Sequence, residues 1–140
     1  RFRHRYSANT EIVPDQITSN SIDGDFLKRA IEVVEQNIDN ESFSSNDFAE
    51  AMYMSRSNLY LKITSITGES APQFIRKIRF NKACHLILEQ KYSISEISTK
   101  VGFNSPSYFA TSFKKYVGCL PTEYGKLNKN EILLDDLKSL

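Results

Sequence analysis

The chain has 140 residues, 40% of them hydrophobic and 25% charged, with a formal net charge of +1. These values are typical of one globular domain of ordinary size, and no apolar run approaches the ~20 residues that a membrane span needs, so we expect no membrane contact by this segment. Two cysteines without metal-ligand spacing and only two histidines argue against a disulfide framework or a metal site and favour a reducing, cytoplasmic location.

Residues 1–22 have the features of a linker. Three arginines lie within residues 1–6, while residues 7–22 are polar, include Pro14 and show no sustained hydrophobic period, as in segments that connect domains. The chain starts with Arg1, and no signal-peptide pattern follows. We therefore expect an N-terminal linker from an upstream domain, and the chain to be a fragment of a longer protein.

Three helices are predicted in the first half of residues 23–126, because apolar residues recur there at helical spacing. Their predicted starts are Asp23, Ser44 or Ser45, and Ser55. Asp47 is placed to complete a capping box for the second helix, which is short. The third helix ends at Gly68, a residue suited to a helix stop.

The fourth predicted helix is the longest, with Pro72 in its first turn and an apolar stripe that runs to about Gln90. The fifth is predicted to end at Gly102, and the sixth to run from Ser105 to Tyr116 with Gly118 and Pro121 as stops. Residues 127–140 form a C-terminal tail with a modest helical stripe: Ile132, Leu133, Leu137 and Leu140. No alternating strand pattern occurs, so the predicted fold is all-α with about seven helices.

An internal repeat divides this domain into two similar units. A shift of 50 residues aligns these pairs: Ser55 with Ser105, Ser57 with Ser107, Leu59 with Phe109, Ile63 with Phe113, Gly68 with Gly118, and Phe74 with Tyr124. A short helix, a tight turn and a longer helix is the arrangement that presents the second helix to a DNA major groove. The connecting helix of about 19 residues spans about 28 Å, near the ~34 Å between successive major grooves.

Charge is concentrated in the same region. Residues 53–126 carry eleven basic and four acidic side chains, which favours a polyanionic partner. A solvated helical surface explains such a run equally simply. The repeat is also compatible with a second class of function, a helical protein-interaction module that contains two similar hairpins.

A family resemblance favours the first interpretation. We find a resemblance to the second helix-turn-helix unit of the AraC/XylS regulators in Ile94 to Tyr124, ISEISTKVGFNSPSYFATSFKKYVGCLPTEY. A resemblance to their first unit and connecting helix covers Phe48 to Ile87, FAEAMYMSRSNLYLKITSITGESAPQFIRKIRFNKACHLI. The segments MSRSNLY and GFNSPSYF are similar to those in the output domains of Bacteroides-type hybrid two-component systems, in which this module follows a receiver domain.

The resemblance implies a homeodomain-like, double helix-turn-helix domain over residues 23–126. It implies a sequence-specific transcription regulator that inserts two recognition helices into adjacent major grooves of double-stranded promoter DNA, without a cofactor. An upstream receiver in the same chain is expected, with a small-molecule-responsive sensor domain as the alternative. Homodimerisation, contact with RNA polymerase and anchoring of a longer parent in the inner membrane stay open.

The first recognition helix offers its candidate contacts on the face opposite its core residues. The predicted DNA-binding residues there are Arg56, Ser57, Tyr60, Leu61 and Thr64, of which the resemblance assigns base reading to Ser57, Tyr60 and Leu61. Arg56 can bind guanine or phosphate with its planar guanidinium. Leu61 stands where family members often carry arginine or another polar residue, so either it contacts a thymine methyl group, which we expect, or this helix reads sequence less fully. Tyr53 occupies the place of a turn glycine, which predicts a local difference in the first turn.

The second recognition helix offers a matching set. The predicted contacts are Asn104, Ser105, Ser107, Ala110, Thr111, Lys114 and Lys115. Asn104 and Ser105 lie at the helix start, where phosphate binds favourably, and Ser105 also suits a cap. Lys114 and Lys115 are expected to hold phosphates.

Enzyme chemistry finds little support in the sequence. Cys84 and His85 are adjacent, and on a helix they point about 100° apart, which makes a poor nucleophile and base pair. Asp135 and Asp136 lie in the tail and suit a solvated helical face. We therefore expect no catalytic residue and no enzymatic activity.

Overall fold

The computed structural model describes residues 21–127, and its regular secondary structure over that range is helical throughout. The helices are α1 (Ser21–Gln36), α2 (Ser45–Ala51), α3 (Arg56–Thr67), α4 (Ala71–Glu89), α5 (Ile94–Lys100), α6 (Pro106–Val117) and α7 (residues 121–127). The predicted all-α class is confirmed. Residues 1–20 of the predicted linker and the apolar stripe of the C-terminal tail lie outside the described residues, whereas residues 21 and 22, also expected in the linker, begin α1.

Serine side chains start the helices of both units in the same way. Ser44 caps α2 in a capping box with Asp47, and Ser93 caps α5 in a capping box with Glu96, 49 residues further along. Each side chain satisfies a backbone N–H that the first helical turn would otherwise leave unpaired. The predicted repeat is therefore present in the hydrogen bonds as well as in the apolar pattern.

The seventh helix starts earlier than the sequence indicated. We expected Pro121 to act as a stop, but it is the first residue of α7. The Leu120 N–H donates to Glu123 Oε1 at 2.8 Å, as the Ser70 N–H donates to Gln73 Oε1 at 2.9 Å at the start of α4. Proline suits a first helical position because its missing N–H would find no intrahelical acceptor there. α7 thus repeats the beginning of α4.

Two apolar cores share α4. Its first half contributes Phe74 and Ile78 to the core of α1, α2 and α3, where the rings of Phe48 and Phe74 stack with centroids 5.9 Å apart. Its second half contributes Phe80 to the core of α5 and α6. The Phe80 ring packs against four aromatic rings: Phe103, Phe109, Phe113 and Tyr116. Large buried aromatic contacts on both halves of one helix hold the two units on a common support.

The turns inside the two units share their conformation. Tyr53 and Gly102 both have a positive φ, 58° and 89°. In each unit the residue that follows donates its N–H back to the preceding helix, Met54 to the Ala49 carbonyl and Phe103 to the Ser98 carbonyl. Our expectation that Tyr53 changes the first turn is therefore wrong, because tyrosine adopts the left-handed conformation in spite of its cost of about 1 kcal/mol.

Candidate nucleic-acid interface

Helix α3 presents an open face made by the predicted contact residues. Ser55 Oγ accepts the Asn58 N–H at 3.1 Å to start the helix, and Gly68 ends it with a φ of 77°. Leu59 and Ile63 point into the core, as predicted. The exposed residues on the other side are Arg56, Ser57, Tyr60 and Leu61. Tyr60 and Leu61 are 51% and 64% exposed, so neither contributes a full side chain to the core.

Thr64 differs from the other four predicted contacts on α3. It is half-buried, and its hydroxyl donates to the Glu69 carbonyl at 3.4 Å. Its polar group is therefore partly engaged by the loop between α3 and α4. The exposed face of α3 is best developed over its first two turns.

Helix α6 is built in the same way. Ser105 Oγ accepts the Tyr108 N–H at 3.2 Å, and Gly118 ends the helix with a φ of 109°. Among the predicted contacts, Asn104, Ser107, Thr111, Lys114 and Lys115 are exposed, while Ser105 and Ala110 are half-buried. The capping role of Ser105 is thus observed directly.

The hydroxyl group of Thr111 already has a partner in α6. It donates to the Ser107 carbonyl at 3.0 Å. The outward-facing groups of Thr111 are therefore its methyl group and the lone pairs of its oxygen. This favours contact with a base-edge donor or a methyl group over donation to a base.

The basic side chains separate into those used inside the domain and those left for a partner. Lys62 pairs with Asp23 of α1 at 3.1 Å, and Lys77 pairs with Glu69 at 2.7 Å. Within residues 21–127, Arg56, Lys114 and Lys115 have no carboxylate within salt-bridge distance. The three cations nominated from the sequence are thus among those without an ion pair in this range, together with Arg76, Lys82 and Lys91. The two lysines also lie in the last turn of α6, where the helix dipole favours positive charge.

The sequence did not distinguish the four basic residues of α4, and the structure does. Arg79 is only 7% exposed. Arg76 is exposed and lines an open groove of about 450 Å³ that reaches Asn104 and Tyr108 at the start of α6. Tyr108 was not predicted as a contact, yet its ring is 61% exposed. Its repeat partner, 50 residues earlier, is the polar residue Asn58, which is the sequence signal that could have identified position 108 as outward-facing.

Other kinds of site find no basis in the described part of the chain. Residues 21–127 hold no group of three or more histidine, cysteine or acidic side chains arranged to bind a metal ion. Burial raises the pKa of the Cys84 thiol to about 12, and a hydrogen bond with Tyr124 opposes this rise. The thiol is therefore protonated at neutral pH and a poor nucleophile. Among the helices described, none is both long enough and apolar enough to cross a membrane.

Two units of short helix, left-handed turn and serine-capped second helix, held on one long helix, define a double helix-turn-helix domain. A family model described as a helix-turn-helix domain matches residues 48–126. A transcriptional regulator from Chromobacterium violaceum, described as containing an AraC-type DNA-binding domain, superimposes on 76% of this chain and 95% of its own, with a TM-score of 0.68 and 25% identity. The chain belongs to the AraC/XylS-type helix-turn-helix family.

Two further similarities concern the setting of such domains in longer proteins. The C-terminal domain of AraT, a response regulator from Geobacillus stearothermophilus, is 29% identical and covers 73% of this chain and 84% of that chain, with a TM-score of 0.66. A protein from Formosa agariphila named histidine kinase P4 is 38% identical over 124 residues, which is 89% of this chain. The chain spans only 9% of the length of that relative.

Proposed function

We propose that this chain is the sequence-specific DNA-binding module of a transcription regulator, with α3 and α6 entering adjacent major grooves of promoter DNA. The observation that carries the proposal is the duplicated helix with an open first half, Ser57 and Ser107 being exposed at equivalent places on α3 and α6. The support between them, α4, has 19 residues and spans about 28 Å. This length is close to the ~34 Å that separates successive major grooves on one side of a duplex.

The exposed residues divide by position into base readers and phosphate anchors. Side chains of the first two helical turns reach base edges, and groups at a helix start or on the rim reach the backbone. We assign base reading to Arg56, Ser57, Tyr60, Leu61, Thr64, Ser107, Ala110 and Thr111. We assign phosphate contact to Asn104, Ser105, Lys114 and Lys115.

Leu61 has a specific role in this proposal. An exposed leucine on the outer face of α3 offers no hydrogen bond, and the apolar group that a major groove presents is the thymine methyl. Leu61 is therefore assigned to a thymine in the half-site of α3. Thr64 contributes least, because the loop after α3 engages its hydroxyl.

The longer parent is proposed to be a two-component regulator. The similarity to the C-terminal domain of a response regulator, and to a small part of a protein named as a histidine kinase, supports an upstream receiver domain in the same chain. A small-molecule-binding sensor domain is the alternative. The sequence upstream of Arg1 separates them, because a receiver carries clustered aspartates on a parallel α/β pattern. A parent anchored in the inner membrane would keep this module on the cytoplasmic side, where promoter DNA, RNA polymerase and a second copy are available as partners.

Selection of bound sequences from random duplexes tests the DNA-binding proposal. We expect the wild-type chain to enrich a site with two halves, Arg56→Ala to relax one half, and Thr111→Ala to relax the other. Lys91→Ala removes an exposed charge between α4 and α5 and serves as a control that changes neither half. Enrichment of no sequence above scrambled duplex would refute the proposal.

The dependence of affinity on salt separates DNA binding from the rival function. A chain that neutralises phosphates releases bound cations, so its affinity falls steeply as salt rises. A helical protein-interaction module would bind its partner with little change over the same range. A flat salt response with duplex DNA would favour the rival.

A further inference from the structure

Arg79 lies at the boundary between the two units. On α4 it stands between Ile78, which belongs to the core of the first unit, and Phe80, which belongs to the core of the second. Its side chain is 7% exposed. It is therefore withdrawn from the surface where a basic residue of this domain would meet phosphate.

The guanidinium of Arg79 binds backbone carbonyls of both units at once. Nη1 donates to the carbonyls of Ile38 and Val101, the second at 2.7 Å, and Nη2 donates to the Asn40 carbonyl at 2.9 Å. Ile38 and Asn40 belong to the loop between α1 and α2, whereas Val101 is the C-terminal cap of α5. One side chain thus joins the loop of the first unit to the turn of the second.

The approach of Gly102 to this side chain is tight. A Cβ atom on Gly102 would collide with the Arg79 guanidinium and would lie 2.5 Å from the Ile38 carbonyl oxygen. Ile38 also packs against both cores. The turn of the second unit therefore rests directly on the loop of the first, and glycine at position 102 permits the approach.

The Arg79 guanidinium can make these three hydrogen bonds in only one relative orientation of the two units. Burial lowers the pKa of Arg79 and nearby Asp39 raises it, and a guanidinium stays charged in proteins. Hydrogen bonds from a charged donor are stronger than neutral ones, and a buried cation that loses its acceptors is costly. Rotation of one unit relative to the other would separate the guanidinium from Val101 or from the α1–α2 loop.

We propose that Arg79 is a positioning residue that fixes the angle and distance between α3 and α6, so that the two recognition helices act on DNA as one rigid body. This role in binding rests on the proposed function, whereas its effect on the orientation of the units does not. Arg79 acts without touching DNA. Its contribution is therefore measured in the free protein as well as in the complex.

The distance between the units in the free protein is the first test. Spin labels at Glu50→Cys on α2 and Thr99→Cys on α5 report it, since both positions are exposed and the native Cys84 and Cys119 are buried. We expect one narrow distance distribution in the otherwise native chain and a broadened or shifted one after Arg79→Met. An unchanged distribution in a variant that retains its helical circular dichroism would overturn the proposal.

Lys82→Met is the matched control for this measurement. Lys82 is an exposed cation of the same helix, so the control removes the same charge without touching the joint between the units. The distance distribution of the Lys82→Met variant should equal that of the otherwise native chain. Arg79→Lys carries the test if the methionine variant does not fold. Lysine keeps a cation but loses the planar fork that reaches three carbonyls, so we expect an intermediate broadening, and a native distribution would count against the proposal.

Half-site spacing is the second test. On the selected site, insertion of one base pair between the halves should weaken the native chain at least tenfold, because it rotates and displaces one half relative to the other. Arg79→Met should bind the original spacing about tenfold more weakly and distinguish the two spacings by less than threefold. Equal spacing preference in both proteins would refute the positioning role. Failure of the native chain to bind any site would instead refute the proposed function, and the distance measurement would still decide the role of Arg79.

Discussion

Two glycines of the chain allow a direct measurement of how closely the units are joined. Gly68 and Gly102 both have a positive φ, 77° and 89°, but a Cβ on Gly68 has no atom within 4 Å, whereas one on Gly102 meets the Arg79 guanidinium and the Ile38 carbonyl. Replacement by alanine costs each position about 1–2 kcal/mol in backbone strain. Only Gly102→Ala should also disturb the joint between the units.

The extra cost at Gly102 follows from the hydrogen bonds of Arg79. The Cβ displaces Nη1, which donates to two carbonyls, and hydrogen bonds to charged groups contribute about 1.5–3 kcal/mol each. Since the side chain can relax in part, we expect a total loss of about 3–5 kcal/mol for Gly102→Ala against about 1–2 kcal/mol for Gly68→Ala. For a domain of about 100 residues this corresponds to melting points lowered by roughly 15–25 °C and 5–10 °C.

Urea denaturation followed by helical circular dichroism measures both variants against the native chain. Unfolding midpoints and slopes give the free energy of unfolding in each case. Gly68→Ala is the control for strain alone, because its environment is open. Equal losses within about 0.5 kcal/mol would show that Arg79 moves aside at no cost, and the reasoning about a fixed joint would then be wrong.

Four further outcomes are expected. Leu61→Ala should abolish the preference for thymine over uracil at its half-site, a preference of about fourfold in the native chain for one buried methyl group; equal binding of both bases by the native chain would contradict the assignment. Lys114→Ala should weaken all duplexes similarly and reduce the slope of log affinity against log salt by about one, and a change in sequence preference would argue against a phosphate contact. The Arg29 guanidinium lies 5.5 Å from the centroid of the Tyr53 ring. Tyr53→Gly should stabilise the fold by about 0.5 kcal/mol in urea denaturation, because relief of about 1 kcal/mol of backbone strain exceeds the loss of this contact; a loss of stability would contradict this. Ser93 donates hydrogen bonds to the Glu96 carboxylate and lowers its pKa below the ordinary 4.5. The stability that this contact gives to the start of α5 is therefore present above pH 4.5 and is lost as the pH falls through the lowered pKa. Glu96→Gln should flatten the dependence of the urea midpoint on pH between pH 7 and 3, and an unchanged profile would refute the coupling.

Features that depend on neighbouring residues were predictable from the sequence. Ser44 with Asp47, and Ser55 before the third helix, mark helix starts because a cap lies within three residues of its partner. The outward face of α3 followed from the core positions of Leu59 and Ile63 in the same helix. The contact of these exposed residues with bases stays a prediction.

Features that depend on distant residues were not predictable. Arg79 looked like any other basic residue of α4, because its acceptors at Ile38 and Val101 are 41 and 22 residues away. Pro121 was misassigned for a different reason: a proline near a helix end is compatible with a stop and with a new start. The backbone geometry of the following turn decides between them.

The sharing of α4 between two cores restricts how this domain can change during evolution. Phe74 and Phe80 lie six residues apart on α4 and face different cores. Insertion of a single residue between them would turn one core by about 100° and advance it by about 1.5 Å, destroying its packing. The length of α4 can therefore change mainly in whole turns of about 5.4 Å. One such turn is longer than the rise of one base pair, which is ~3.4 Å because a ~34 Å helical repeat of DNA holds about ten base pairs. Relatives that recognise half-sites at other separations are expected to differ in the loops that carry α3 and α6, with the length of α4 retained.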